Sequence, residues 1–298
     1  MVFICIPVHN RVDYTTACLN SIFCQTYKNF HVVISDAGST DGTIDVITEK
    51  FPQKVTLLPI DPSNWWTGGI NACIRYAMQV GNANDFIFTL NNDTEIASDC
   101  LRNLVNYANN NPGSLIGGLN LFYDDRSRIE PSAFSNEKCG IFYYQKRLFS
   151  LGQKIPVPIS ESYPVDTLSG KGILIPVSVF RKIGLFEEKL LPHYHADTEF
   201  VNRSRVNGFN PVLLTTAKIY SHVKETGTGT IDKSSIGFFK SYFHRNSANH
   251  LKSLFSYSRL VYKKAWLLYF IPKIVLINAG FIKRLLYKSP IIHKFTAR

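Results

Sequence analysis

A chain of 298 residues, 45% hydrophobic and 18% charged, has the apolar content to close a sizeable core, which excludes a disordered chain and points to one large domain or two small ones. The formal net charge of +11 sits in the last quarter: residues 231–298 carry 13 Lys/Arg against Asp232 alone, whereas residues 1–230 carry 20 Lys/Arg and 21 Asp/Glu. Six cysteines (5, 18, 24, 73, 100 and 139) make no CxxC pair and no metal spacing, so they read as small core residues in a reducing compartment, and nothing at the N-terminus reads as a secretory signal.

VFICIPV (2–8) reads as a buried strand. DYTTACLNSIFCQ (13–25) has a helical period, with Tyr14, Ala17, Cys18, Ser21, Ile22 and Gln25 on one face. FHVVISD (30–36) is a second strand, and STDGTIDVITEKF (39–51) offers capping residues and then a helix. VTLLPI (55–60), GGINACIRYAMQV (68–80) and DFIFTL (85–90) follow as strand, helix and strand. DCLRNLVNYANN (99–110) is a helix stopped by Pro112 and Gly113, and SLIGGLNLFY (114–123) a further strand. Residues 124–166 are mixed and polar and read only as an excursion. GILIPVSVFRKIGLF (172–186) reads as strand, turn and short helix, DTEFVNRSRVNGF (197–209) as a helix, and PVLLTT (211–216) as a last strand. Strands alternating with helices of this length predict βαβ units and a parallel sheet.

In such a sheet, ligands bind at the carboxyl ends of the strands. His9 and Asn10 follow the first strand, Asp36 the second, and Asn91, Asn92 and Asp93 of LNNDTEI (90–96) the fourth. Asp36 alone also suits a plain turn, but polar groups at three strand ends on one edge favour a site. In NWWTGGINACI (64–74), two tryptophans precede Gly68-Gly69 and a predicted helix start, an arrangement that admits close approach of a phosphate. The same residues also suit a helix entry with Trp65 and Trp66 in the core. HYHADTE (193–199) is dense in ionisable groups, although Asp197 also suits an N-cap. His222 follows a strand and precedes a Gly/Thr-rich loop, where a lone histidine also suits a structural role.

Together these stretches resemble the family 2 glycosyltransferases, whose fold is GT-A: Rossmann-like, with a mostly parallel central sheet flanked by helices. IPVHNRVDYTTACLNSIFCQTY, VVISDAGSTDGT and LNNDTEI match the nucleotide-sugar half of that family in its usual order. SGKGILIPVSVFRKIGLFEEKL and HYHADTEFVNRSRVNGF look like its acceptor half, and the likeness runs from residue 2 to about residue 250. NWWTGGIN and SYFHRNSANHL (241–251) look most like the rhamnosyltransferase-like branch, which builds bacterial surface polysaccharides of the O-antigen or capsule kind.

The resemblance implies a catalytic domain over residues 1–230, with the nucleotide-sugar half at about 1–96 and the acceptor half at about 97–230. It implies a donor pocket at which Asp36 meets the base while Pro7, His9 and Asn10 line the nucleoside. With the strand ends and the tryptophan stretch, the expected donor-binding set is Pro7, His9, Asn10, Asp36, Gly38, Asn64, Thr67, Gly68, Gly69, Asn71, Asn92 and Asp93. Asp93 matches the metal-binding acid of the DxD motif, His222 the late histidine that approaches the metal or diphosphate, and Asp197 the general base. The implied cofactor is a divalent cation, Mn2+ or Mg2+.

The chain departs from the family pattern at Asn91, where the first acid of DxD would stand, and at Ala196, where the base would have an acidic neighbour. The first departure implies an ion held mainly by diphosphate oxygens, and the second makes Glu199 the alternative base. The implied reaction is inverting transfer from a nucleoside-diphosphate sugar, a UDP- or dTDP-sugar, to a hydroxyl of a saccharide or lipid-linked saccharide. A catalytically degenerate scaffold, favoured by Asn91 and Ala196, is the alternative. A nucleotidyltransferase fits less well, because PVHNRVDY lacks the glycine-rich loop such enzymes carry.

The basic, aromatic tail (231–298) holds AWLLYFIPKIVLINAGFI (265–282), an apolar stretch broken by Pro272 and Lys273 and flanked by lysines, arginine and tyrosines. A central lysine disfavours a span, so the tail reads as helices on an anionic membrane surface, or else as helices packed on the domain with solvated charges. No nucleic-acid reading motif accompanies the charge. The expected location is cytoplasmic, peripheral on the inner face of the cell membrane.

Overall fold

The computed structural model describes residues 1–222 and 234–288. Residues 223–233 and 289–298, which include both ends of the basic tail, lie outside the described residues.

β1 (Val2–Val8) sets the layers. Six of its seven residues are buried, because the sheet is covered on both faces and neither set of alternate side chains meets water. Phe3 and Cys5 enter one core; Val2, Ile4, Ile6 and Val8 enter the other. β1 pairs in parallel with β2 (Phe30–Asp36) and β4 (Phe86–Thr89), and β2 pairs in parallel with β3 (Val55–Pro59). The connections are α1 (Val12–Phe23), α2 (Thr43–Lys50) and α3 (Trp65–Val80). This half follows the alternation legible in the sequence.

Beyond β4 the sheet turns mixed, in the order β3-β2-β1-β4-β11-β6-β12-β5. β11 (Ile173–Pro176) lies antiparallel between β4 and β6 (Ser114–Phe122). β12 (Asn210–Ser221) runs parallel to β6 and antiparallel to the short β5 (Thr94–Ile96). α1 and α4 (Cys100–Asn110) pack on one face. α3, α5 (Val177–Ile183) and α6 (Ala196–Val206) pack on the other. Four of the cysteines are core residues as expected, while Cys24 and Cys139 are exposed.

The excursion at 124–166 contains β7 (Ala133–Cys139) and β8 (Phe142–Arg147), a hairpin that forms a second, three-stranded sheet with β10 (Thr167–Leu168). β9 (Ser162–Pro164) adds to the main sheet beside β12. These strands are short and half-exposed, so they lack the apolar alternation by which strands are read.

The tail folds as α7 (Ser235–Ser241), α8 (Leu251–Tyr262) and α9 (Trp266–Lys288). Tyr257 and Tyr269 are fully buried. Gln145 of β8 donates through Nε2 to the Tyr257 hydroxyl at 2.8 Å and accepts through Oε1 from the Tyr269 hydroxyl at 3.4 Å, so α8 and the start of α9 are fastened to the second sheet.

Candidate active site

The carboxyl ends of β1, β2 and β4 do meet on one edge. Asn10 and Arg11, just after β1, both take left-handed backbone (φ 58° and 69°). Such a conformation costs a non-glycine residue roughly 1–2 kcal/mol, and hydrogen bonds hold it. Asn10 N donates to Ser39 Oγ at 2.7 Å, Thr40 N to Asn10 Oδ1 at 2.8 Å, and Asn92 Nδ2 to the Asn10 carbonyl at 3.4 Å. Asp36 caps the same loop, accepting from Ser39 Oγ at 2.5 Å and from the Gly38 and Ser39 backbone N–H groups. Gly38 stands at φ +76°, a conformation that side chains resist. His9, exposed, donates from Nδ1 to the Ala37 carbonyl at 3.0 Å, since a carbonyl can only accept. Asp36 and Pro7 remain half-exposed at this edge.

The tryptophan stretch is arranged differently from its sequence pattern. α3 starts at Trp65, so Gly68 and Gly69 lie inside the helix rather than at its entry. Their lack of side chains serves packing: a Cβ on Gly69 would stand 2.9 Å from Ser35 Oγ and 3.0 Å from Pro7 Cβ, and one on Gly68 2.8 Å from Asn64 Cβ. Thr67 is buried and donates through Oγ1 to the Leu191 carbonyl. Asn71, also buried, brackets Phe186 by donating to its carbonyl and accepting from its N–H. Asn64 Nδ2 donates to the Asp61 carbonyl. Asn92 is buried and bonds Thr15 Oγ1 at 3.0 Å. The Thr67 hydroxyl, both amide groups of Asn71 and Nδ2 of Asn92 are thus engaged within the protein.

Asp93 is 4% exposed. Its Oδ2 accepts from Arg11 Nη1 at 3.1 Å, while Oδ1 is buried with no hydrogen-bond partner among the described residues. A buried polar atom left unpaired costs about 1–3 kcal/mol, more when charged, so a water, an ion or a ligand would stabilise Oδ1. His222 reaches this turn through its backbone, whose N–H donates to the Asp93 carbonyl at 3.0 Å. Its ring is engaged too: Nε2 is 3.1 Å from Glu95 Oε1, one face stacks on Tyr123 at 3.9 Å, and Tyr14 meets it edge-on. No cluster of three or more His, Cys, Asp or Glu side chains placed to hold a metal occurs among the described residues.

Asp197 stands in the first turn of α6, which follows His195 in left-handed backbone (φ 72°). The residue is only partly exposed. Oδ2 accepts from Gly170 N at 2.6 Å and Oδ1 from Thr198 N at 2.8 Å. Burial raises this carboxyl above its ordinary range, with the two backbone donors opposing. Glu199 points away, fully paired with Arg203 (Nε to Oε1 2.9 Å, Nη2 to Oε2 3.1 Å), so the alternative base is held in a buried structural ion pair. His193 and His195 are held neutral, both pushed down to about 4, chiefly by burial. The Arg11 charge adds to the effect at His193, and Tyr194 feels the charges of Asp197, Asp93 and Arg11. This stretch therefore lies within electrostatic reach of both carboxylates.

Trp66 joins the two halves. Its indole Nε1 donates to Asn91 Oδ1 at 2.9 Å. The far edge of its ring lies against Gly170, where a Cβ would stand 2.7 Å from Cη2 and 3.3 Å from the Asp197 Cβ. Thr89, at the end of β4, donates through Oγ1 to the Gly170 carbonyl at 2.9 Å. Sequence reasoning missed Arg11, Trp66, Gly170 and Tyr194 as members of the site. The glycine in SGKG was a visible signal, but its neighbours 27 and 104 positions away were not.

The sequence profile described as glycosyl transferase family 2 matches residues 3–168. An uncharacterized glycosyltransferase of Rickettsia bellii is 26% identical over 195 residues, covering 64% of this chain and 25% of that protein. An N-acetylglucosaminyl-diphospho-decaprenol L-rhamnosyltransferase of Mycobacterium tuberculosis is 26% identical over 227 residues, covering 71% of this chain and 72% of the relative. The chain spans a quarter to about half the length of the first curated relatives it matches (25% and 54%). Among solved structures, a mannosyltransferase from Pyrobaculum calidifontis, in complex with GDP-Man and Mn2+, superposes with a TM-score of 0.60 at 14% identity, covering 99% of this chain and 79% of that one. That likeness establishes the fold as GT-A.

Proposed function

The chain belongs to glycosyl transferase family 2, and on that premise we propose that it moves a sugar from a nucleoside-diphosphate sugar to an acceptor hydroxyl, with Asp197 as the general base. The observation that carries the reading is the pairing of two unlike carboxylates through Trp66: Asp93 with a buried, unpartnered oxygen, and Asp197 raised and held by backbone donors. Two acids kept in different environments are what a transferase needs, one to meet a cation and one to take a proton.

Asp93 Oδ1 fits a hard divalent cation, Mn2+ or Mg2+, with diphosphate oxygens and water as its other ligands. Bound there, such an ion would neutralise the charge that grows on the leaving diphosphate. Arg11 balances Asp93 in the free protein. Asn10 and Asp36 hold the loop at the nucleoside edge, where His9, Gly38, Asp36 and Pro7 retain exposed surface for a base and ribose. Asp197 Oδ1 and Oδ2, fixed by Thr198 and Gly170, take the proton of the attacking hydroxyl. An incoming hydroxyl on the face opposite the diphosphate gives inversion. The donor is a UDP- or dTDP-sugar and the acceptor a saccharide or lipid-linked saccharide, supported by the relative whose name places its acceptor on a decaprenyl diphosphate. The setting is surface polysaccharide synthesis on the cytoplasmic face of the cell membrane.

Release of nucleoside diphosphate from UDP- and dTDP-sugars, assayed with and without Mn2+ or Mg2+, tests this. Metal-stimulated diphosphate release is expected. Pyrophosphate release would mean a nucleotidyltransferase, and donor binding without release a scaffold, the reading that Asn91 and the engaged His222 ring favour.

The raised Asp197 also sets a pH dependence. The base works only when ionised, so kcat/KM should fall about tenfold per pH unit below its pKa. Because burial raises that pKa, the acid limb should begin above the ordinary aspartate value of about 3.9. A profile of kcat/KM from pH 4 to 8 checks this; a flat profile would remove Asp197 from the role.

A further inference from the structure

The two faces of α9 are both apolar, and only one is covered. On the covered side Tyr269 stacks on Tyr262 at 4.3 Å and is fully buried, and Phe281 stacks on Phe238 of α7 at 3.9 Å. On the other side Leu267, Ile271, Val275 and Ile282 are 47–59% exposed at helical spacing. The exposed surface continues onto α7 and the turn after it, where Ile236, Phe239 and Phe243 are 58–77% exposed, and the Phe239 and Phe281 rings join the two helices. Solvent-facing rows of this size on two adjoining helices mark an interaction surface.

Charge selects the partner. Residues 234–298 contain no Asp or Glu. Lys240, Arg245, Lys252, Arg259, Lys263, Lys264 and Lys283 are exposed on α7, α8 and α9 and in the turns that join them. An apolar face on a segment whose charged residues are all cations complements an anionic lipid surface.

The packing selects the orientation. The stretch Leu251–Lys283 is long and apolar enough to cross a bilayer. Spanning would strip Tyr269 from Tyr257, Tyr262 and Gln145, would part Phe281 from Phe238, and would place Lys273 in hydrocarbon. Lying in the plane keeps every one of these contacts and inserts only the exposed rows. We propose that α9 and α7 dock in the plane of an anionic bilayer, with Leu267, Ile271, Val275, Ile282, Phe239 and Phe243 entering the acyl boundary and the surrounding lysines meeting lipid phosphates. α8 links this face to the site, since the Tyr257 ring lies 5.2 Å from His195, just before the helix that carries Asp197.

The test is flotation of the full chain with vesicles of phosphatidylcholine containing about one-third phosphatidylglycerol, beside vesicles of phosphatidylcholine alone. The wild type should float with the anionic vesicles. Ile271→Glu/Val275→Glu, which alters exposed positions, should keep the wild-type melting temperature and lose at least about tenfold in partitioning. Lys263→Glu/Lys264→Glu should lose a similar factor, with the wild type's binding falling as salt rises. Failure of the wild type to float, or equal binding by the Ile271/Val275 variant, overturns the proposal. So does a wild-type dimer in light scattering that this variant makes monomeric without any vesicle binding, which would make the rows a subunit interface. Resistance to alkaline carbonate extraction from cell membranes would overturn the in-plane orientation in favour of a span.

Discussion

Asp197→Asn should lower turnover by about 10²–10⁴-fold, the usual worth of a general base, while leaving donor affinity nearly unchanged. Asparagine keeps the shape of the side chain and one acceptor oxygen, so one of the two backbone bonds, from Gly170 or Thr198, survives. What disappears is the capacity to take a proton. The melting temperature serves as the control, because loss of one buried hydrogen bond costs about 1–3 kcal/mol and would show there rather than in donor binding. Near-normal turnover in a folded variant would exclude Asp197 as the base. Glu199 is then no ready substitute, since Arg203 occupies both of its oxygens and is itself tied to the Ile183 and Leu185 carbonyls.

Asp93→Asn should weaken Mn2+ binding measured in the presence of UDP by at least about 10–100-fold, the factor that loss of a mere outer-shell partner of a metal commonly produces. Titration calorimetry of Mn2+ into the protein with UDP present reads this directly. Without nucleotide, both proteins should bind the ion poorly. Among the described residues of the turn Asp93 is the acid with a buried, unpaired oxygen, Arg11 already sits on its Oδ2, and the neutral Asn91 is engaged by the Trp66 indole. Tight Mn2+ binding by the free wild-type protein would count against this account of the turn. The fold should tolerate the substitution, because the Arg11 side chain is 38% exposed and water can replace the Asp93 carboxylate.

The residues of the LNNDTEI turn show how far reading along the chain goes. That a buried strand ends there in polar groups is a local fact, and the structure indeed ends β4 at Thr89 and sets the turn at the sheet edge, with Asn92 and Asp93 buried. That Asn91 is an acceptor for an indole, that Asn92 braces α1, and that Asp93 keeps one oxygen unpaired are facts about partners 25, 77 and 82 positions away. Gly68 and Gly69 make the same point in the other direction. Glycine beside a helix start reads as room for a ligand, but the same absence of a side chain lets α3 sit against Ser35 and Pro7. Composition near a helix end cannot distinguish these uses.

The sequence by itself determined the alternating strands and helices of the first half, the basic tail, and the family-like order of its motifs, because hydrophobic period and charge are properties of neighbouring residues. Only the tertiary structure decided that β11 and β12 make the sheet mixed, that His222 pairs with Glu95, and that Trp66 binds the Asp93 turn to the Asp197 helix. Only it decided, too, that one apolar face of α9 is covered while the other is left bare. Each of these is a choice among partners distant in sequence, made by burial and hydrogen-bond geometry, and no local pattern encodes it.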